Sequence, residues 1–126
     1  MRKILNTMPE ATGPSALTDT DYHRLAGDVL SAIEATVDRW LQDDVIDIDS
    51  QRTGGLLQLG FPNGSTVVVN LQPPLRELWL AARAGGYHYR YVDGHWIDSR
   101  DGSEFFAVLS REATAQGGRA LVFALG

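Results

Sequence analysis

Six carboxylates spaced along one stretch of the chain, Glu34, Asp38, Asp43, Asp44, Asp47 and Asp49, are the side chains best suited to chemistry. Glu34 and Asp38 are four apart, which puts them on one face of a helix, where like charges repel by roughly 0.2–0.5 kcal/mol. They fall near the end of that helix, where the macrodipole prefers cations. The window from Asp19 to Asp49 holds nine of the sixteen acids and only two bases, Arg24 and Arg39, so it carries −7 against a whole-chain net charge of −5. A placement this unfavourable for stability usually faces something cationic, a basic protein surface or a metal ion. Exposed carboxylates are hard oxygen ligands that suit Fe²⁺, Mn²⁺, Mg²⁺ or Ca²⁺ with loose geometry and weak affinity. His23 could add a nitrogen at the margin of the same face, nearly three turns before Glu34, although it reads more simply as an exposed first-turn histidine. The plainer alternative for the whole set is a solvated face that also discourages edge-to-edge sheet pairing.

Asn70, Gln72 and Trp79 form a second set. With Val67 and Val69 pointing to a core, Asn70 and Gln72 share the outward row of a strand. An amide pair beside a large aromatic is typical of a protein-recognition patch. The same residues also suit a half-buried Trp79 with both amides serving the turn before Pro73. Other chemistries find no support. The chain has no cysteine, so disulfides, thiol catalysis and cysteine-ligated clusters on the chain itself are excluded. A sequence pI near 5.0 without a basic stripe argues against general nucleic-acid binding. Gly54-Gly55 and Gly85-Gly86 do not form a phosphate loop, and no nucleophile elbow is present. Glu34 and Asp38 sit on a convex helix and not in a cleft, which counts against glycosidase-type acid–base work. No apolar run is long enough to span a bilayer. Arg2 and Lys3 are followed by polar residues where a signal peptide needs an apolar segment. Residues 1–17 read as a flexible leader, residues 18–126 as one domain, and the expected location is cytoplasmic.

The elements that must position these residues are legible from period and punctuation. Thr18 and Asp21 have capping-box spacing, and Tyr22, Leu25, Ala26, Val29, Leu30, Ile33, Val37 and Trp40 share a helix face ending near Gln42. Alternation predicts a strand over 45–49, with Ile46 and Ile48 inward and Asp47 and Asp49 outward. Leu57, Leu59 and Phe61 alternate next, and Asn63-Gly64 predicts a hairpin into 65–71. Pro73-Pro74 breaks the ladder. Leu75, Leu78, Trp79 and Ala82 then recur at helical spacing. A second hairpin runs over 87–91, turns at Asp93-Gly94 and returns over 95–98. Tyr87, Tyr89 and Tyr91 share one face, more often core than ligand stack. The spacing of Asp101 and Glu104 predicts a second capped helix through Phe105, Leu109 and Ala113 to Gly117-Gly118. Residues 120–124 read as a last short strand. Helix, strands, helix indicates an α+β domain, a mostly antiparallel sheet with both helices on one face and the other open to solvent.

Several ordered motifs, Asp21-Tyr22-His23-Arg24-Leu25-Ala26, Asp47-Ile48-Asp49, Asn63-Gly64-Ser65, Asn70-Leu71-Gln72-Pro73-Pro74-Leu75, Leu78-Trp79-Leu80-Ala81, Gly85-Gly86-Tyr87-His88-Tyr89 and Trp96-Ile97-Asp98-Ser99-Arg100-Asp101-Gly102, resemble the bacterial frataxin family, the CyaY proteins. The resemblance covers about residues 18–123. It implies a two-layer α/β sandwich whose antiparallel sheet has about five to seven strands, with 75–83 a strand against the helical periodicity. It implies Fe²⁺ and Fe³⁺ bound weakly on an acidic ridge, best carried by Glu34, Asp38, Asp47 and Asp49, with His23 matching and Asp43 and Asp44 corresponding loosely. It also implies a monomer serving iron–sulfur cluster assembly through a cysteine desulfurase and its scaffold protein, as iron donor or iron-dependent regulator. Oligomerisation under iron load stays open. Asn70, Gln72 and Trp79 match the family's exposed sheet residues. Three departures bear on this: Ala35 follows Glu34 and Arg39 follows Asp38 where the ridge helix often carries adjacent acids, and Leu71 stands where a base commonly separates the two amides. They favour a one- or two-ion sensor over a high-capacity iron store. The rivals are a ferroxidase, for which the chain lacks an enclosing Glu-x-x-His arrangement, and a metal-independent interaction module working through Trp79.

Overall fold

In the computed structural model, which describes residues 17–126, helix α1 spans Asp19–Gln42. The hydroxyl of Thr18 accepts a hydrogen bond from the Asp21 amide at 3.0 Å, as the capping spacing predicts. Tyr22, Ala26, Val29, Leu30, Ile33 and Val37 are buried along one face of α1, and Leu25 and Trp40 pack beside them. Most of the predicted leader lies outside the described residues. Leu17, the last residue of that segment, packs on the core, and its carbonyl accepts from Arg76 Nε at 3.1 Å.

Six strands follow: β1 Asp49–Thr53, β2 Leu56–Gly60, β3 Thr66–Gln72, β4 Glu77–Ala82, β5 Gly85–Val92 and β6 His95–Asp98. They form one antiparallel meander in sequence order. Helix α2, Phe105–Gly117, lies with α1 on a single face of it. The core sits between the layers, where Leu57, Leu59, Val67, Val69, Leu78, Leu80 and Tyr89 meet the buried faces of both helices. Burying each large apolar side chain here contributes about 1.5–3 kcal/mol.

Three local expectations are corrected, and a fourth segment follows the resemblance against its periodicity. Residues 45–48 precede the first strand, because Asp49 pairs with Gly60, the last residue of β2, and the next amide, Phe61 N–H, donates to the Ser65 carbonyl in the turn into β3. Their alternation persists without a ladder: Ile48 is buried, Ile46 half-buried, Asp47 exposed. Residues 77–82 are a strand despite the helical spacing, since Pro73–Leu75 forms a 3-10 turn and Arg76 adopts a φ of 53° that reverses the chain into β4. The cap of α2 is Glu104, whose carboxylate accepts from the Phe106 and Ala107 amides, whereas Asp101 closes a turn by accepting from the Ser103 amide. Gly102, at a φ of 78°, turns the chain before the helix can begin. Residues 120–124 form no strand. The Leu121 and Phe123 amides donate to the hydroxyls of Thr114 and Ser110 on α2.

One buried hydroxyl links the helix layer to the sheet. Tyr22 donates to the Glu77 carbonyl at 2.6 Å and accepts from the Gln72 amide at 2.9 Å. It thereby clamps the two ends of the Pro73-Pro74 excursion, where β3 hands over to β4. Burial pushes the Tyr22 hydroxyl up to about 12.

Candidate functional site: an acidic ridge and an open sheet face

The carboxylates of the ridge are set by how α1 ends. Val45 N–H donates to the Trp40 carbonyl at 2.8 Å and Asp44 N–H to the Leu41 carbonyl at 3.2 Å. These are the two bonds of a Schellman motif, with Asp44 in the left-handed position at a φ of 59° that glycine usually fills. The chain then descends through Asp47 to Asp49 at the start of β1. Asp38, Asp43, Asp44, Asp47 and Asp49 are exposed and Glu34 is half-buried, so all six acids reach the surface along the helix end and the adjoining connection.

The six are not equivalent. Glu34 Oε1 accepts from Arg52 Nη1 at 2.8 Å, and Asp49 accepts from Gln51 Nε2 at 3.2 Å. The side chains of Asp38, Asp43, Asp44 and Asp47 make no ion pair or hydrogen bond among the described residues. Nor do any three His, Asp or Glu side chains among these residues converge as a ready-made metal cage. The donor chemistry suits a hard cation, while the strung-out geometry suits loose, partly hydrated binding and not an enclosed centre. His23 stands apart from this row, about 16 Å before Glu34 along the helix. Its Nδ1 lies 3.0 Å from the Asp19 carbonyl, and its ring lines a groove of about 550 Å³ with Gly27, Leu30, Arg52, Gly55 and Leu71.

The second set lies on the face of the sheet away from the helices. Register aligns Leu56, Asn70, Trp79 and His88 across four strands. The half-buried Trp79 ring stacks on the His88 imidazole with centroids 4.1 Å apart and planes 8° from parallel. Its indole N–H donates to Glu77 Oε1 at 2.8 Å, and Arg90 Nε donates to Glu77 Oε2 at 3.0 Å. Both oxygens of a buried carboxylate are thus used to hold an aromatic ring and a guanidinium in place. Gln72 lies one step along β3 from Asn70 and pairs with Glu77. The Asn70 and Gln72 side chains form no hydrogen bond among the described residues, so neither is spent on the turn before Pro73.

Sequence reasoning had not singled out Arg52, Glu77, His88 or Arg90. His88 and Arg90 were within reach, because tyrosines 87, 89 and 91 pointing inward leave both facing out. The Glu34–Arg52 and Trp79–Glu77 contacts had no sequence signal of their own, since they depend on the crossing of α1 over β1 and on side-chain rotamers.

The chain is thus a two-layer α+β sandwich with both helices on one side of an antiparallel sheet, an acidic helix end and an open sheet face. The chain belongs to the frataxin-like family, whose domain model matches residues 15–119. It is 52% identical over 107 residues to a Burkholderia mallei protein named iron–sulfur cluster assembly protein CyaY, an alignment covering 85% of this chain and 98% of that one. Among solved structures, frataxin from Psychromonas ingrahamii superposes with a TM-score of 0.76 at 33% identity, covering 86% of this chain and 99% of the other. Trimeric frataxin from the yeast Saccharomyces cerevisiae, solved in a ferrous complex, gives 0.63 at 26% identity, covering 75% and 86% respectively. Among the described residues no helix is long and apolar enough to cross a membrane.

Proposed function

We propose that this protein serves iron–sulfur cluster assembly by holding Fe²⁺ weakly on its acidic ridge and docking that ridge against a basic surface of a cysteine desulfurase. The open sheet face, through Trp79, Asn70 and Gln72, engages a second partner, the scaffold protein. The carrying observation is the run of exposed carboxylates from Asp38 to Asp47 with no intramolecular partner among the described residues. Unpaired acids at a helix C-terminus cost stability, and a cation or a basic partner relieves that cost. The name of the Burkholderia relative and the ferrous complex of the yeast relative support the same reading. Iron on the carboxylates that also dock lets the desulfurase respond to iron supply.

The reading is tested by converting Glu34, Asp38, Asp47 and Asp49 together to the corresponding amides. The variant is expected to fold, to lose Fe²⁺-dependent chemical-shift changes, and to lose both binding to the desulfurase and modulation of its activity. Undiminished binding and modulation by the neutralised protein would refute the ridge as the docking surface.

A further inference from the structure

Of the six ridge acids, Glu34 alone is ion-paired among the described residues. Its partner comes from another element. Arg52 lies on the edge strand β1 and reaches across to α1, donating through Nη1 to Glu34 Oε1 at 2.8 Å and toward Ser31 Oγ at 3.4 Å. The two side chains are 33% and 32% exposed, partly shielded beside the exposed Asp38, Asp43, Asp44, Asp47 and Asp49. The guanidinium therefore holds Glu34 through one charge-assisted N–H···O contact in a setting only partly screened by water. A divalent ion at Glu34 must displace that guanidinium or share the carboxylate with a resident positive charge.

We propose that Arg52 is a tethered competitor that withholds Glu34 from divalent cations, confines ion binding to the Asp38–Asp49 end of the ridge and lowers its affinity. This rests on the reading of the ridge as an iron surface and assigns Arg52 the part of an affinity-setting residue within it. Arg39 offers a built-in contrast. It is a ridge cation on the same helix, one residue after Asp38, yet forms no ion pair among the described residues. Charge alone makes the two arginines equivalent; a latch makes only Arg52 depend on Glu34.

The experiment is an anaerobic Fe²⁺ titration, followed by amide NMR, of the full chain and of Arg52→Gln, Glu34→Gln, the double variant and Arg39→Gln. A pair with this much solvent access couples by up to about fivefold in an equilibrium constant, so Arg52→Gln is expected to tighten Fe²⁺ binding about two- to fivefold. It should also extend line broadening from the Asp38–Asp49 region to the amides around Ser31 and Glu34. The gain should vanish in the double variant, while Glu34→Gln alone changes little. Equal gains from Arg39→Gln and Arg52→Gln that persist without Glu34 would overturn the latch and leave the iron reading standing, as would no gain at all from Arg52→Gln. Absence of binding in every protein would sink the latch and the iron reading together.

Discussion

The ridge and the open sheet face are built by different means, and the difference separates what each can do. The ridge acids hang from a helix end and an irregular connection. Their neighbours along the row are other acids, and among the described residues only Glu34 and Asp49 have polar side-chain partners. The sheet face is held by cross-strand register and by a network in which Glu77 secures Trp79 and Arg90 while His88 stacks on the indole. A surface of the first kind attracts by field, adapts to its ligand and is tuned by charge. One of the second kind is organised before the partner arrives, so little ordering entropy remains to be lost on docking.

The sharpest way to probe that contrast is Trp79→Ala. A preorganised aromatic anchor is expected to carry at least about 2 kcal/mol of binding, so affinity for the scaffold protein should fall about thirtyfold or more by calorimetry. Fe²⁺ titration of the ridge should stay unchanged. An intact scaffold affinity would place the docking energy elsewhere. Next in size, Tyr22→Phe removes the partner of both the Gln72 amide and the Glu77 carbonyl, at an expected cost of about 1–3 kcal/mol in urea unfolding. Its shift changes should centre on Gln72 to Trp79 and spare Asp38 to Asp49. Changes spread evenly over both surfaces would mean that the two are not separately supported.

Ionic strength divides the surfaces without mutation. Between low salt and about 0.5 M, screening should weaken ridge binding to the desulfurase several-fold. Scaffold binding through the sheet face should move less than about twofold over the same range. Matching salt dependences would erase the distinction. The smallest effect concerns the turn that carries the ridge. Asp44 holds a left-handed conformation that glycine adopts freely, so Asp44→Gly should stabilise the fold by up to about 1 kcal/mol in the same urea assay. It should also lower Fe²⁺ affinity less than twofold, as one carboxylate among several. A destabilised variant would mean that the Asp44 side chain supports the ridge in a way the Schellman geometry does not reveal.

How far these surfaces were legible in the sequence follows the same division. Helix α1, both hairpins and the outward placement of Asn70, Gln72, Asp47 and Asp49 came from periodicity, because burial on one face leaves a period in the chain. Helical spacing at Leu75, Leu78, Trp79 and Ala82 misled, since Leu78 and Leu80 are core while Trp79 belongs to the opposite face. Only pairing with β3 and the 3-10 turn decide that, and pairing is non-local. Alternation at 45–49 gave the facing of the acids correctly but not a strand, because β2 ends at Gly60 and offers no partner there. The frataxin resemblance supplied the strand at 77–82 and the ridge as a set. It could not supply Arg52 against Glu34, or Glu77 beneath Trp79, which arise where separate elements cross.

The central claim is that the exposed acids from Asp38 to Asp49 form a weak but specific site for iron. An anaerobic Fe²⁺ titration of the isotope-labelled protein, followed by amide NMR, tests it most directly. Selective broadening at Asp38, Asp43, Asp44, Asp47 and Asp49, saturating at a low ratio of iron to protein and leaving Trp79 and His88 untouched, is the predicted result. No localised effect at sub-millimolar iron, or broadening spread over acids elsewhere such as Asp93 and Asp101, would contradict it and leave the ridge a docking surface alone.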